Sequence, residues 1–398
     1  MSAVNRCLRR RDRMGAPIEA RRPTRRVRMK IRARAAAQPV DGPERIAGRF
    51  GVPCEITDIG PIAVLEQVGD LGLYGLRRPV NDDAIRLGID ENGLGPRLGP
   101  LIVTAIAART TGGGHERAER RARGAMRARL GDSKKLLGHG NTALGEAWAR
   151  AIARRMGVAN LEGPDALVHA LSLDGPAVLR ARCPTDHTEQ CWNRAGESFR
   201  ADDALVADVE RDLAKLAAQG IDVLYVACVV TCTRRLNDEI GRGRNRFHVD
   251  LHAMERLFLD GRARAKRDVI ATCGKVGGFD QYAAAFGPMN GRLHAVAEQG
   301  RARSEYCLPG LGRIAFVRDA DDNHLLVSMA SLVGKWVRDL LMARIVRYHQ
   351  AEVGDLPDAS GYHDPVTARF IAETRLARTR RRLPEDCFER RPWRDPRP

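Results

Sequence analysis

Two apolar runs, AIRLGID at 84–90 and PLIVTAIAA at 100–108, stand on either side of a glycine-rich loop. Runs of this length bounded by turn signals predict buried strands. Their connection is too short for a crossover helix, so the two strands are expected to pair antiparallel. IDVLYVACVV at 221–230 and RDVIATCG at 267–274 predict two more strands. Helical periodicity and composition take over at 142–156, 200–219 and 251–265, and again over the long stretch 325–350, LLVSMASLVGKWVRDLLMARIVRYHQ. Small residues near the start of that last helix predict a close approach to the sheet. Strands and helices in this order predict an α/β domain with a mixed sheet. Upstream, apolar runs broken by glycine between 50 and 80 read as a β-rich lead-in. TTGGGHERAERRARG at 110–124 reads as a loop and a charged stretch, since its glycines lack the Lys-Ser or Lys-Thr of a phosphate loop.

Charge changes this picture at the two ends. The net charge is +17, yet residues 1–35 carry +11 of it and residues 375–398 carry +5, which leaves the body nearly neutral. Such ends suit a phosphate backbone held without sequence preference, or a solvated extension. Residues 1–45, rich in Arg, Ala and Pro, are expected to be a basic disordered tail. No run of about 18 apolar residues is present, which excludes a membrane-spanning helix. The head lacks the apolar segment of a secretory signal. Nine cysteines without a framework spacing suit a reducing cytosol, so a cytoplasmic protein is expected. Cys183, His187 and Cys191 fall at four-residue intervals, and Cys228 and Cys232 repeat the interval. This is looser than paired zinc ligands usually show, so these residues read as ordinary thiols.

Candidate chemistry begins at GIDENGLGPRLGP, residues 88–100. Asp90 and Glu91 end a predicted strand, where a sheet delivers side chains to a ligand. Successive strand residues face opposite sides, so both acids can serve one site only if the chain bends there, which Gly93 and Gly95 permit. Two carboxylates suit Mg²⁺ or Mn²⁺, and phosphodiester cleavage uses pairs of such ions. Further along, DSKKL supplies Lys134 and Lys135. ADDNHLLVSMASLVGK sets Asp321 ten residues before Ser331, with Lys335 beyond. GYHDPVT carries Tyr362, and FERRPW spans 388–393.

These five blocks, in this order, resemble ribonuclease HII, the archaeal and eukaryotic type more than the common bacterial one. The resemblance implies a ribonuclease H-like fold over 84–350 with an insertion at about 138–219, a lead-in over 46–83 and a helical, basic segment over 351–398. It implies a two-metal endonuclease, using Mg²⁺ or Mn²⁺, that cuts the RNA strand of RNA–DNA hybrids or single ribonucleotides in duplex DNA. Asp90, Glu91 and Asp321 would be catalytic metal ligands. The backbone of Gly93, Leu94 and Gly95 would read the ribose 2′-hydroxyl, Tyr362 would stack on the next sugar, and Lys134, Lys135, Ser331 and Lys335 would contact phosphates or order the site. Nucleic acid would be the partner.

The chain departs from that family pattern in several places. Leu94 stands where the family has arginine, and Asn92 where it has alanine. More seriously, ATCGKVGGFDQY aligns so that Gly274 replaces the third carboxylate. Asp268 lies at the wrong end of that strand, Asp280 lies in the following loop, and Asp250 precedes the strand on another segment. Lys275 stands next to the gap and is a candidate for part of a metal's electrostatic place. A catalytically weak or silent nucleic-acid-binding relative is the alternative that Gly274 and Leu94 suggest.

Overall fold

The computed structural model describes residues 83–158, 161–184, 189–276 and 278–392. The expected basic tail at 1–45 and all but the last residue of the lead-in lie outside the described residues, as does the end of the C-terminal segment.

Seven strands form one mixed sheet: β1 Asp83–Asn92, β2 Leu101–Thr111, β3 Ile221–Thr231, β4 Val269–Gly274, β5 Ala295–Gln299, β6 Arg303–Leu308 and β7 Gly312–Val317. Their order is β3-β2-β1-β4-β7-β6-β5. β1 and β2 pair antiparallel, as their short connection requires. β1, β4 and β7 run parallel to one another, so all three deliver their carboxyl ends to the same edge of the sheet. β5, β6 and β7 escaped the sequence reading. β5 is exposed along its whole length, so no buried face left a hydrophobic alternation to find.

Six helices matter for the site. α1 Ala143–Arg155, α2 Asp203–Ala218, α3 Thr233–Gly241, α4 Arg246–Ala265 and α5 Leu325–Val353 carry the layers, and the short α6 Glu385–Phe388 closes the described chain. The stretch read as a loop after β2 instead winds into a short helix, Gly114–Ala118. Alternation along β1 explains the layering. Ile85, Leu87 and Ile89 join Val103, Ala105 and Ala107 under α4, in one core cluster with Phe247, Leu251 and Phe258. On the opposite face Ile102 and Ile106 pack with Trp148, Val206, Leu213 and Trp336 from α1, α2 and α5. The segment expected as an insertion therefore supplies core side chains, each worth about 1.5–3 kcal/mol when removed from water. A small residue of α5 does bring it down onto the sheet: a Cβ on Gly334 would stand 2.1 Å from Asn92 Oδ1 and 2.7 Å from Thr104 Oγ1, and Gly88 of β1 matches it from the other side.

Candidate active site

β1 stays regular through Asp90, Glu91 and Asn92, which pair with Thr104, Val103 and Ile102. The bend expected between the two acids is absent. The chain turns only afterwards, at Gly93, whose φ of +88° suits glycine and strains other residues. Both carboxylates nonetheless line one cavity. The reason is the neighbouring strand: β4 ends at Gly274, beside Asp90 in the parallel register. A Cβ on Gly274 would meet Asp90 Oδ1 at 2.5 Å and Glu91 Oε2 at 3.4 Å. The two carboxylates thus converge on the space that a side chain at 274 would fill, and the longer Glu91 reaches across the strand end.

Asp321 enters from the short helix Ala320–Asn323 that follows β7, with its backbone oxygen held by Ser328 Oγ at 2.7 Å. Its carboxylate lies 4.0 Å from Lys134 Nζ. The cavity, about 320 Å³, is lined by Asp90, Glu91 and Asp321, by Gly93, Leu94 and Gly95, and by Lys134, Ser331, Lys335 and Tyr362. Lys135 is not among its lining residues; its Nζ sits 3.3 Å from Asp132 and 3.5 Å from Asp322. Lys335 is tied to Asp339 at 3.2 Å, and the buried Ser331 shares a 2.9 Å hydrogen bond with Ser133.

The electrostatics are those of crowded acids. Burial pushes Asp90 well above the usual carboxylate range, and the charges of Glu91 and Asp321 push it further, against a hydrogen bond from Ser331. Burial and the charge of Asp250 do the same to Glu91. Burial also raises Asp321, opposed by Lys134. Asp250, on α4, is fully buried, and neither of its carboxylate oxygens has a hydrogen-bond partner.

Of the remaining candidates near the gap, Lys275 lines the cavity, and Asp268 and Asp280 do not. Asp268 sits at the start of β4, 3.7 Å from Arg262. Lys275 donates to Gly300 O at 2.6 Å, so its ammonium is turned to the β5–β6 connection and does not fill a metal's place between the acids. Asp280 is felt by Lys275 and is not among the cavity's lining residues.

An all-oxygen set of crowded, desolvated carboxylates fits a hard divalent cation in chemical terms, since like charges driven together in a low-dielectric pocket need a counter-charge. Asp90 and Glu91 already share a point. Among the described residues, however, no three His, Cys, Asp or Glu side chains stand close enough to hold an ion as placed. Asp321 has to swing inward to join the other two.

Two arginines that were not on the list of candidate residues hold the glycine loop from behind, and a third, Arg338, stands beside Gly93. Arg390, 3% exposed, donates through Nη1 to Gly93 O at 2.6 Å and through Nη2 to Gly99 O at 2.7 Å. Arg246 Nη1 donates to Leu94 O and Gly95 O, each at 3.2 Å. Arg338 donates to Ser360 O at 2.9 Å, and its guanidinium lies over the Tyr362 ring at 4.5 Å. In a trans peptide the N–H points opposite to the C=O, so binding the carbonyls of Gly93 and Leu94 turns the amides of Leu94 and Gly95 away from the guanidiniums. The FERRPW block contained Arg390, but a buried arginine bonded only to carbonyls leaves no charge pattern to read.

No family model matches this chain. No curated protein matches it either. Solved structures do. A ribonuclease HII from Archaeoglobus fulgidus, solved in complex with PCNA, is 15% identical over 79% of this chain and 97% of that one, with a TM-score of 0.34. The Bst ribonuclease HIII, solved with Mn²⁺, is 11% identical over 77% of this chain and 66% of that one, with a TM-score of 0.36. The ribonuclease H2 of Pyrococcus horikoshii OT3 is 13% identical over 75% of this chain and all of that one, with a TM-score of 0.28. The structures this chain is similar to are thus ribonucleases of the HII and HIII types, at a distance that leaves its chemistry to the residues of its own cavity.

Proposed function

We propose that this chain is a metal-dependent endonuclease that hydrolyses the RNA strand of RNA–DNA hybrids, including isolated ribonucleotides in duplex DNA. The observation that carries this reading is the convergence of Asp90 and Glu91 on the space beside Gly274, in a cavity that Asp321, Lys134, Lys335 and Tyr362 share. Asp90, Glu91 and Asp321 would hold Mg²⁺ or Mn²⁺. When bound, the cation supplies activation of a water and stabilisation of the leaving oxygen.

The chain's own residues do the rest. The amides of Leu94 and Gly95 offer donors to a 2′-hydroxyl, the group that separates RNA from DNA. Lys134 and Lys335 bring positive charge to a phosphate. Tyr362, 44% exposed, offers a face on which a sugar or base can stack. Ser331 donates to Asp90 and steadies its ionised form. The basic ends would hold the backbone of the duplex beyond the cavity.

The test incubates purified protein with a duplex carrying one embedded ribonucleotide, with and without Mg²⁺ or Mn²⁺. Metal-dependent cleavage at the ribonucleotide, lost in Asp90→Asn, is expected. Retained binding without cleavage at high protein concentration would sink this reading in favour of a second one, a silent nucleic-acid-binding relative, which Gly274 and Leu94 favour. Gly274→Asp then separates the two. Its Cβ meets the carboxylate ends of Asp90 and Glu91, side-chain atoms that can turn aside, so a silent scaffold gains cleavage when the missing carboxylate is restored.

A further inference from the structure

The body between the two basic ends is nearly neutral in sum, yet one stretch of it is strongly cationic: ERAERRARGAMRAR, residues 116–129, holds six arginines against two acids. It runs from the end of β2 toward Ser133 through the short helix Gly114–Ala118 and a 3₁₀ turn, Gly124–Ala128. Ala118, Ala122 and Met126 fall at four-residue intervals and pack into the core cluster with side chains of α1, α2 and α5, so the backbone between them is anchored. The arginines around them meet two fates. Arg117 donates to Gln219 O at 2.7 Å, Arg120 pairs with Glu116 at 3.3 Å, and Arg129 pairs with Asp212 at 2.7 Å. Arg121, Arg123 and Arg127 are exposed, and their side chains make no hydrogen bond or ion pair among the described residues. All three line one surface cleft of about 470 Å³. Glu119, which also lines it, is already held by Arg86 at 2.7 Å.

Asn323 lines the same cleft. It is the last residue of the short helix Ala320–Asn323 that carries Asp321, and Asp321 lines the candidate active-site cavity. Cleft and cavity thus flank one short helix. Lys134 and Lys135 stand over its acids, 4.0 Å from Asp321 and 3.5 Å from Asp322, so cationic side chains continue from the cavity toward the cleft.

We propose that Arg121, Arg123 and Arg127 form a track for the phosphate backbone of a duplex nucleic acid whose cleaved strand enters the cavity. This track belongs to the nuclease proposed above and depends on that reading, but it lies outside both the cavity and the basic ends. Three like charges within seven residues repel one another and contribute nothing to folding without a counter-charge. Guanidinium forks match phosphate oxygens two at a time. Among the described residues that line the cleft, no apolar side chain is larger than that of Ala122. A protein partner would therefore find no pocket for an anchoring side chain, whereas a row of phosphates needs none. Guanidiniums held this way grip the backbone and read no bases, so the track binds without sequence preference. Because Ala118, Ala122 and Met126 fix the backbone when the chain folds, little ordering remains to be done on binding.

Binding of full-length protein to a labelled RNA–DNA hybrid is measured against salt with Ca²⁺ in place of Mg²⁺, so that the result does not depend on cleavage. The triple variant Arg121→Gln/Arg123→Gln/Arg127→Gln should flatten the slope of log K against log salt by about three, close to one per lost phosphate contact. Lysine at the same three positions keeps the charge and should keep most of the slope. A control triple, Arg154→Gln/Arg211→Gln/Arg264→Gln, takes equal charge from exposed positions on α1, α2 and α4 and should leave the slope as it is. With Mg²⁺, the loss in the first triple should fall on KM, by about tenfold or more, rather than on kcat. Urea unfolding checks that this triple folds; if it does not, Arg127→Gln alone decides, with a slope change of about one. A slope unchanged by the first triple, or changed as much by the control triple, overturns the track. Parent protein that cleaves while the slope is unmoved overturns the track alone; parent protein that binds through the track yet cleaves nothing overturns the nuclease reading alone.

Discussion

The buried acids of this molecule fall into two groups that the same low-dielectric interior treats in opposite ways. On the side of α1, α2 and α5 each acid is answered. Glu146 accepts the amides of Arg200 and Ala201 at 2.9 Å, Glu197 takes Arg344 at 2.6 Å, and Asp212 takes Arg129 at 2.7 Å. At the carboxyl ends of β1 and β4, Asp90, Glu91 and Asp250 have chiefly one another. A fold gains nothing from unanswered buried carboxylates, which cost free energy unless a proton or a cation neutralises them. The first group is therefore architecture, and the second is where the proposed function puts a cation.

Removing a charge should act in opposite directions in the two groups. The largest effect is expected on activity. Asp90→Asn should reduce cleavage by more than the ~10- to 100-fold typical of losing an outer partner of a metal ligand, while raising the denaturation midpoint of the metal-free protein. A fall in that midpoint would break the comparison. Next comes Arg344→Met. Its guanidinium is fully buried against Glu197, so its loss should cost about 3–5 kcal/mol in a urea unfolding series. A loss under 1 kcal/mol would place Arg344 among the dispensable ion pairs.

The pH dependence carries the same contrast. Asp90, Glu91 and Asp250 are held above their ordinary values, so the stability they contribute is complete below about pH 4 and is lost as pH rises through their higher folded values. Glu255, pushed up to about 7 by burial, behaves likewise between 4.5 and about 7. Asp174 runs the other way. Burial alone would raise it, but Arg256 and Arg235 hold it below its ordinary 3.8, so its contribution is present above that value and is lost as pH falls. Metal-free protein should therefore lose stability on the alkaline side of about pH 5, and Mg²⁺ or Asp250→Asn should flatten that limb. An alkaline limb unchanged by both would remove Asp250 from the group. The smallest effect belongs to Tyr362→Ala. Losing one stacking face should weaken hybrid binding by ~1–3 kcal/mol, with unfolding shifted by no more than ~0.5 kcal/mol. Titration of labelled hybrid with Mg²⁺ replaced by Ca²⁺ measures the first, and urea denaturation the second.

Much of the sheet was legible before any coordinates. β1 to β4 and the long α5 announce themselves because each is buried on at least one face, which writes apolar runs or helical periodicity into the chain. β5 lies at the sheet's open edge, exposed throughout, and writes no such pattern; β6 and β7 also went unread, although Ser304, Tyr306 and Leu308 alternate inward along β6. Asp90 and Glu91 could be picked out because a strand end beside a glycine loop has a local signature, and Asp321, Lys134 and Tyr362 because their blocks, taken in order, resemble those of ribonuclease HII. Arg246, Arg390 and Ser133 could not, since each acts on a partner more than 100 residues away.

By itself the sequence determined the local conformations: which runs become strands, where Gly93 lets the chain turn, and that β4 ends at a residue without a side chain. Only the tertiary structure decided what that missing side chain means. Parallel pairing of β1 with β4 places Asp90 and Glu91 around the space beside Gly274. The physical reason lies in the range of the forces involved. Local conformation depends on neighbours a few residues away, whereas a site depends on which distant segments share one desolvated volume, and that is fixed only when the sheet registers and the helices pack.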